Sequence, residues 1–173
     1  MADRTQPAIH HVYLGLGSNM GDRCAELAHA IERLAGGIYI ETMSSVYDTA
    51  PMLVTDQPRF LNMVVYGTTH LLPAELLELA KRTEAAAGRK NGRRYGPRPV
   101  DVDILLYDHL VLNEPGLTLP HPRLVERAFV LQPLAEIAPD AVHPVTGARF
   151  KDLLTQLVPA DVRLIGPLFT DRH

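Results

Sequence analysis

Asp101 and Asp103 stand one residue apart in Arg98-Pro99-Val100-Asp101-Val102-Asp103-Ile104-Leu105-Leu106. Val100, Val102, Ile104 and Leu106 alternate with the acids, the period-two pattern of a half-buried strand. Both carboxylates then leave one face, about 7 Å apart at ~3.3 Å per residue. Like charges at that spacing repel, and a hard divalent cation offsets the repulsion. Mg²⁺ commonly takes one or two carboxylates together with substrate phosphate oxygens. Alone, the pair reads first as the solvated face of an edge strand. The segment in front of it shifts the balance. Arg89-Lys90-Asn91-Gly92-Arg93-Arg94-Tyr95-Gly96-Pro97-Arg98 carries five basic side chains in ten, with two glycines and a proline, so a loop presents these charges. Cations for polyphosphate oxygens, leading into acids for a metal, suit metal-dependent phosphoryl transfer.

The elements that must position these groups follow from the pattern. Val12 to Leu16 reads as a first strand, ending at Gly17-Ser18-Asn19. Asp22 is placed to cap a helix carrying Cys24, Leu27, Ala28, Ile31, Leu34 and Ala35 at helical spacing, with Gly36-Gly37 as its stop. Cys24 falls on that apolar stripe and is expected in the core. Ile38 to Tyr47 reads as a second strand, 49–58 as a loop long enough to be functional, and Phe60 to Thr69 as a third strand. Pro73 opens a second helix that Gly88 closes, with Leu76, Leu77, Ala80, Thr83 and Ala87 inward. The acid-bearing strand follows. The order is β-α-β-β-α-β, a ferredoxin-like α+β core. Beyond Leu110 the expectation is turns, a helix around Pro122 to Glu136 and a less regular end. One domain over 11–157 is expected, with 1–10 and 158–173 as peripheral tails.

Composition bounds the function class. The chain has 173 residues, 46% apolar and 21% charged, with a net charge of −3, as in a folded domain with a proper core. That charge gives no global attraction to nucleic acid or anionic membrane, so the basic loop is a local feature. One cysteine excludes an internal disulfide framework and suits a reducing cytoplasm. The first ten residues have no apolar signal core, and no stretch approaches ~20 continuous apolar residues. A cytoplasmic location is expected.

Other constellations carry weaker signals. Gly15-Leu16-Gly17-Ser18-Asn19-Met20 fails the G-x-G-x-x-G pattern at its sixth position and reads as a strand-to-helix turn. Gly17 still leaves room for a flat ring to approach. Phe60 and Asn62 share a strand face, an aromatic ring beside an amide able to read the edge of a heteroaromatic such as a pterin or purine. His121 is pinned between two prolines, with Arg127 following as a phosphate partner. Phe129 sits in an apolar run that reads as core. The remaining histidines show no metal-ligand spacing. G-x-S-x-G, P-loop, H-E-x-x-H and C-x-x-C patterns are absent, which argues against serine-hydrolase, P-loop and zinc chemistry.

Together these blocks resemble the 6-hydroxymethyl-7,8-dihydropterin pyrophosphokinases of folate biosynthesis. The carriers are Leu16-Gly17-Ser18-Asn19, Asp56-Gln57-Pro58-Arg59-Phe60-Leu61-Asn62, Gly88-Arg89, Arg94 through Asp103, and Leu119-Pro120-His121-Pro122-Arg123 running on to Arg127-Ala128-Phe129. The resemblance implies transfer of diphosphate from ATP to the pterin hydroxymethyl oxygen, releasing AMP. It implies that Asp101 and Asp103 hold two Mg²⁺ ions, and that Arg89 and Arg98 meet the phosphates from a mobile loop. His121 and Arg127 correspond to nucleotide contacts. The pterin would lie between Phe60 and Phe129, over Gly17, with Asn62 reading its edge and Thr49 and Met52 contributing from the preceding loop. Small-molecule substrates, no nucleic acid, no membrane and a monomer are expected. Tyr95, Pro122 and Ala50 stand where some members carry tryptophan, an aromatic and proline.

Three other readings stay open on the sequence. A ferredoxin-like RNA-binding module would use the basic loop and bind with strong salt dependence. A nucleotidyltransferase would use the same acids but release pyrophosphate. A regulatory pterin or nucleotide sensor would bind without turnover.

Overall fold

The computed structural model describes residues 5–51, 56–88, 99–157 and 160–170. Arg89, Arg98 and Met52, three of the expected site residues, lie outside the described residues. In chain order the elements are β1 (His10–Ser18), α1 (Arg23–Leu34), β2 (Tyr39–Met43), β3 (Val46–Thr49), β4 (Phe60–Thr69), α2 (Pro73–Ala86) and β5 (Asp101–Tyr107). Then come a short hairpin, β6 (Leu112–Glu114) with β7 (Leu117–Leu119), and a 3-10 turn at Leu124–Glu126. α3 (Ala128–Ile137), α4 (Phe150–Thr155) and β8 (Val162–Gly166) complete the order.

The main sheet runs β5-β1-β4-β3-β8, with β2 also on β4 and every pairing antiparallel. The expected split α+β arrangement is present, with one correction. The second strand is two strands, broken at Ser44-Ser45. β2 pairs with residues 65–68 of β4, and β3 pairs with residues 60–62. The break persists because side chains satisfy its backbone. Val64 N–H donates to Ser44 Oγ at 2.9 Å, and Ser45 N–H donates to both carboxylate oxygens of Glu136 at 3.0 Å. Nothing in the apolar alternation from Ile38 to Tyr47 announces it.

Local signals account for the helix bounds. The Asp22 carboxylate accepts the Ala25 N–H at 3.1 Å, the N-cap bond expected of it. Pro73 opens α2, Glu75 accepts the Leu72 N–H at 2.7 Å, and Gly88 follows α2 with a φ of 81° that suits glycine. Cys24 corrects the sequence reading: it is exposed in the first turn of α1, and the buried face is Leu27, Ala30, Ile31 and Leu34. Periodicity gives a direction around a helix but not how far along it the partner layer reaches.

Both sheet faces are covered. On one face, Leu14, Leu16, Leu61, Met63 and Val65 meet Leu27, Leu34, Leu76 and Ala80 of α1 and α2. On the other, Val64 and Leu105 meet Val130, Leu131 and Leu134 of α3, with Phe150 of α4 fully buried. The stretch after residue 157, expected as a peripheral tail, adds β8 to the sheet beside β3. At the far end of the sheet two histidines without assigned roles have structural ones. His10 Nδ1 lies 2.7 Å from Asp108, and His11 Nδ1 lies 2.6 Å from the Tyr66 hydroxyl.

Candidate active site

Because side chains alternate along strands, Gly15 and Gly17 of β1 face the same side as Asp101 and Asp103 of β5 and Asn62 and Val64 of β4. Register makes this specific. Gly17 lies opposite Asp101 on one side and Asn62 on the other, while Gly15 lies opposite Asp103 and Val64. The central strand thus contributes no side chain where its neighbours carry an acid pair and an amide. With strands ~4.8 Å apart, the acid row and the amide row are separated by about 10 Å of glycine floor. α3 and the 3-10 turn roof this trough, which encloses a cavity of about 280 Å³.

The walls have distinct chemistry. Asp101 and Asp103 line one end, and Thr49, Phe60 and Asn62 line the other. Arg127 and Phe129 line the roof, joined by Arg123, just before the 3-10 turn, and by Glu126 at its end. Eight of the expected residues (Gly17, Thr49, Phe60, Asn62, Asp101, Asp103, Arg127 and Phe129) therefore share one cavity. Sequence reasoning missed Gly15, Arg123 and Glu126 as part of it. The i, i+3 spacing of Arg123 and Glu126 ahead of Arg127 is a one-turn signal too short to read without the roof.

Asn62 is buried, and its Nδ2 donates to Thr49 Oγ1 at 2.6 Å across the β3–β4 pair. That bond fixes the amide orientation, leaving the carbonyl Oδ1 on the Gly17 side. A Cβ at position 17 would come within 2.6 Å of this oxygen, so glycine is required there by the amide rather than by backbone freedom. A Cβ at Gly15 would come no closer than an ordinary 3.5 Å to its nearest neighbour, the Leu105 side chain. Asn19, just past the strand, donates to Gln57 Oε1 at 2.9 Å and to Pro58 O at 3.3 Å, tying the segment before Phe60 to the end of β1.

The acid-bearing strand is an edge, as the simplest sequence reading has it, but its acids are half-buried and turned into the cavity. Glu84 of α2 accepts the Val102 N–H at 2.9 Å and so anchors the strand between the two acids. Among the described residues no group of three or more His, Cys, Asp or Glu could hold a metal ion. Asp101 and Asp103 offer two hard oxygen donors on one face. That set suits Mg²⁺ once phosphate oxygens complete the shell, and not an all-protein cage.

His121 stands beside the cavity rather than in its lining. Its backbone N–H donates to Leu105 O at 2.9 Å, laying the Pro-His-Pro segment along β5. Its Nδ1 accepts the Arg123 N–H at 3.2 Å, so the neutral ring carries its proton on Nε2. Burial first, then the Arg127 guanidinium, pushes its pKa down to about 4. Arg127 lies over the Phe129 ring, 5.4 Å from the centroid, a cation–π contact that holds both at the cavity roof.

Comparison with known proteins finds clear relatives. The family described as 7,8-dihydro-6-hydroxymethylpterin-pyrophosphokinase (HPPK) matches residues 13–139. A 2-amino-4-hydroxy-6-hydroxymethyldihydropteridine pyrophosphokinase of Methylorubrum extorquens is 46% identical over 155 residues, 88% of this chain and 97% of that protein. One of the same description from Aquifex aeolicus is 46% identical over 78% of this chain and 84% of its own length. A mitochondrial folate synthesis bifunctional protein of Arabidopsis thaliana is 46% identical over 86% of this chain, which spans 27% of that longer protein. Crystal structures of Plasmodium falciparum HPPK-DHPS share the fold at a TM-score of 0.70 and 14% identity, covering 88% of this chain and 44% of that one.

Proposed function

Since the chain belongs to the 7,8-dihydro-6-hydroxymethylpterin-pyrophosphokinase family, we propose that the trough transfers diphosphate from ATP to 6-hydroxymethyl-7,8-dihydropterin. One observation carries this reading. The side-chain-free stretch of β1 runs between an acid pair and a buried, oriented amide, with an aromatic ring on the floor and another in the roof. The pterin ring stacks between Phe60 and Phe129. Asn62 and Thr49 present polar atoms to its edge, and its hydroxymethyl arm reaches along the glycine floor toward Asp101 and Asp103. ATP enters from the β5 side, where Arg127, Arg123 and the neutral Nε2–H of His121 offer donors to phosphate oxygens. Arg89 and Arg98 add cations from 89–98.

The hydroxymethyl oxygen attacks the β-phosphorus and forms the new P–O bond. The bond from that phosphorus to the α–β bridging oxygen breaks, AMP leaves, and the hydroxyl proton passes to solvent or a phosphate oxygen. The protein's part is to align the two substrates and exclude water. Two Mg²⁺ ions held by Asp101 and Asp103 would supply charge neutralisation and polarise the phosphoryl oxygens. Two acids facing the triphosphate favour a divalent cation between them and it, and we read the reaction as Mg²⁺-dependent. We read the enzyme as a cytoplasmic monomer acting on small molecules. Among the described residues no helix is long and apolar enough to cross a membrane.

The test is AMP release, followed by chromatography, from ATP and Mg²⁺ with and without the pterin, for the wild type and Asp103→Ala. Pterin-dependent AMP that vanishes in the variant supports the reading. Pyrophosphate in place of AMP would replace it with nucleotidyl transfer. Pterin binding without any product would make the chain a sensor.

A further inference from the structure

Arg59 precedes Phe60 and Asp48 precedes Thr49, so each sits one residue from a proposed pterin contact but faces the opposite way. The Arg59 guanidinium uses its whole fork. Nε donates to the Asp48 carboxylate, Nη2 to the Asp48 carbonyl at 3.2 Å, and Nη1 and Nη2 to the two oxygens of Asp161 at 2.6 and 3.2 Å. Arg23, at the start of α1, donates to the Arg59 carbonyl at 3.0 Å and lies 3.7 Å from Asp48. Asp161 immediately precedes β8, and its carbonyl accepts the N–H of Ala50, a cavity-lining residue, at 3.2 Å. Arg163 adds a contact to Asp161 at 3.2 Å. The Arg59 guanidinium thus ties together the end of β3, the start of β4 and the start of β8, and Arg23 joins α1 to the same cluster.

We infer that Arg59, Asp48 and Asp161 form a positioning clamp for the pterin half of the site. Through it the segment before β8, beyond the residues 13–139 matched by the family, sets the spacing of Thr49, Ala50 and Phe60. This rests on the pterin assignment made above. The clamp is selective by its placement. Its members flank the aromatic and amide end of the trough, whereas Asp101, Asp103 and Arg127 rest on β5 and the roof. Asp48 is half-buried at 19% but Asp161 is exposed at 45%, and solvent screens the pairs, so they matter as geometry more than as stability. A lysine cannot reproduce them, because a single ammonium does not span two carboxylates and a carbonyl in one plane.

The full chain carrying Arg59→Ala, Arg59→Lys or Asp161→Ala is assayed for AMP release, with KM measured separately for the pterin and ATP. Thermal melts check folding. Arg59→Ala and Arg59→Lys are expected to raise the pterin KM about tenfold or more, with ATP KM and kcat within roughly threefold of wild type. Asp161→Ala, farther from the cavity, shifts the pterin KM in the same direction by a smaller factor. It decides the matter if the Arg59 variants do not fold. An unchanged pterin KM in folded variants, full rescue by lysine, or equal rises in both KM values would overturn the clamp. A wild type that neither binds the pterin nor makes AMP overturns the functional reading and the clamp with it. An active wild type with unshifted variants overturns the clamp alone.

Discussion

Gly17→Ala should damage the pterin end of the site far more than its single methyl group suggests. The new Cβ would stand 2.6 Å from Asn62 Oδ1, where ordinary contacts begin at about 3.4 Å, so the amide must retreat by roughly 0.8 Å. It has little room to do so. Asn62 is buried at 8% exposure, and its Nδ2 is held by Thr49 Oγ1 at 2.6 Å. Moving it breaks or stretches a buried hydrogen bond, about 1–2 kcal/mol, and adds overpacking strain of about 1–3 kcal/mol. The expected outcome is a loss of about 2–5 kcal/mol in urea unfolding and a pterin affinity at least about tenfold weaker. Binding of ATP with Mg²⁺ should stay within a few-fold. Gly15→Ala is the internal comparison: its Cβ meets Leu105 at 3.5 Å, and its folding cost should be under about 1 kcal/mol. Titration calorimetry with each substrate and urea melts of both variants make the comparison. Equal stability for the two alanine variants, or a Gly17→Ala protein with wild-type pterin affinity, would refute the steric coupling between positions 17 and 62.

Four further outcomes follow from the structure. Chelation of Mg²⁺ should abolish AMP formation while leaving the melting temperature of the substrate-free protein within about 2 °C, since the core is apolar and no described metal cluster supports it. Glu136→Ala removes the acceptor for Ser45 N–H, Ser45 Oγ and Tyr47 OH, and should cost about 2–3 kcal/mol in urea unfolding. His121, pushed down to about 4, stays neutral in the fold while the unfolded ring protonates near its ordinary 6.5. Its contribution to stability is therefore lost as pH falls from about 6.5 toward 4, and His121→Gln should narrow the gap between urea midpoints at pH 7.5 and pH 4.5. Phe150→Ala empties a fully buried site in the core that α3 and α4 share and should cost about 3–5 kcal/mol, read as a lowered melting temperature.

What the sequence disclosed depended on whether a signal was local. Phe60 to Thr69 is legible because the run is long and bounded, and α2 because Pro73 and Gly88 mark its ends. The acid pair is legible because strand alternation is a two-residue rule. The Ser44-Ser45 break is not, since it depends on Glu136, 91 residues away, to satisfy a backbone N–H. β8 is likewise invisible until β3 offers it an edge, and the two-strand hairpin after Leu110 is too short to carry a period. In the site, the acids, the aromatics and Asn62 could be named one by one. The reason they act together is the pair of glycines between them, and that depends on strand order and register.

The broken strand also divides the sheet into two halves that tolerate change differently. A one-residue slip in a continuous strand turns every side chain over. Here β2 pairs with one half of β4 and β3 with the other, and β2 already absorbs an irregularity between Ile40 and Thr42. Insertions or drift in the outer half can accumulate without inverting Thr49 or disturbing its bond to Asn62. One flank of the sheet can thus absorb a register shift while the flank carrying Thr49 and Asn62 keeps its own, so the serine break acts as a buffer between them.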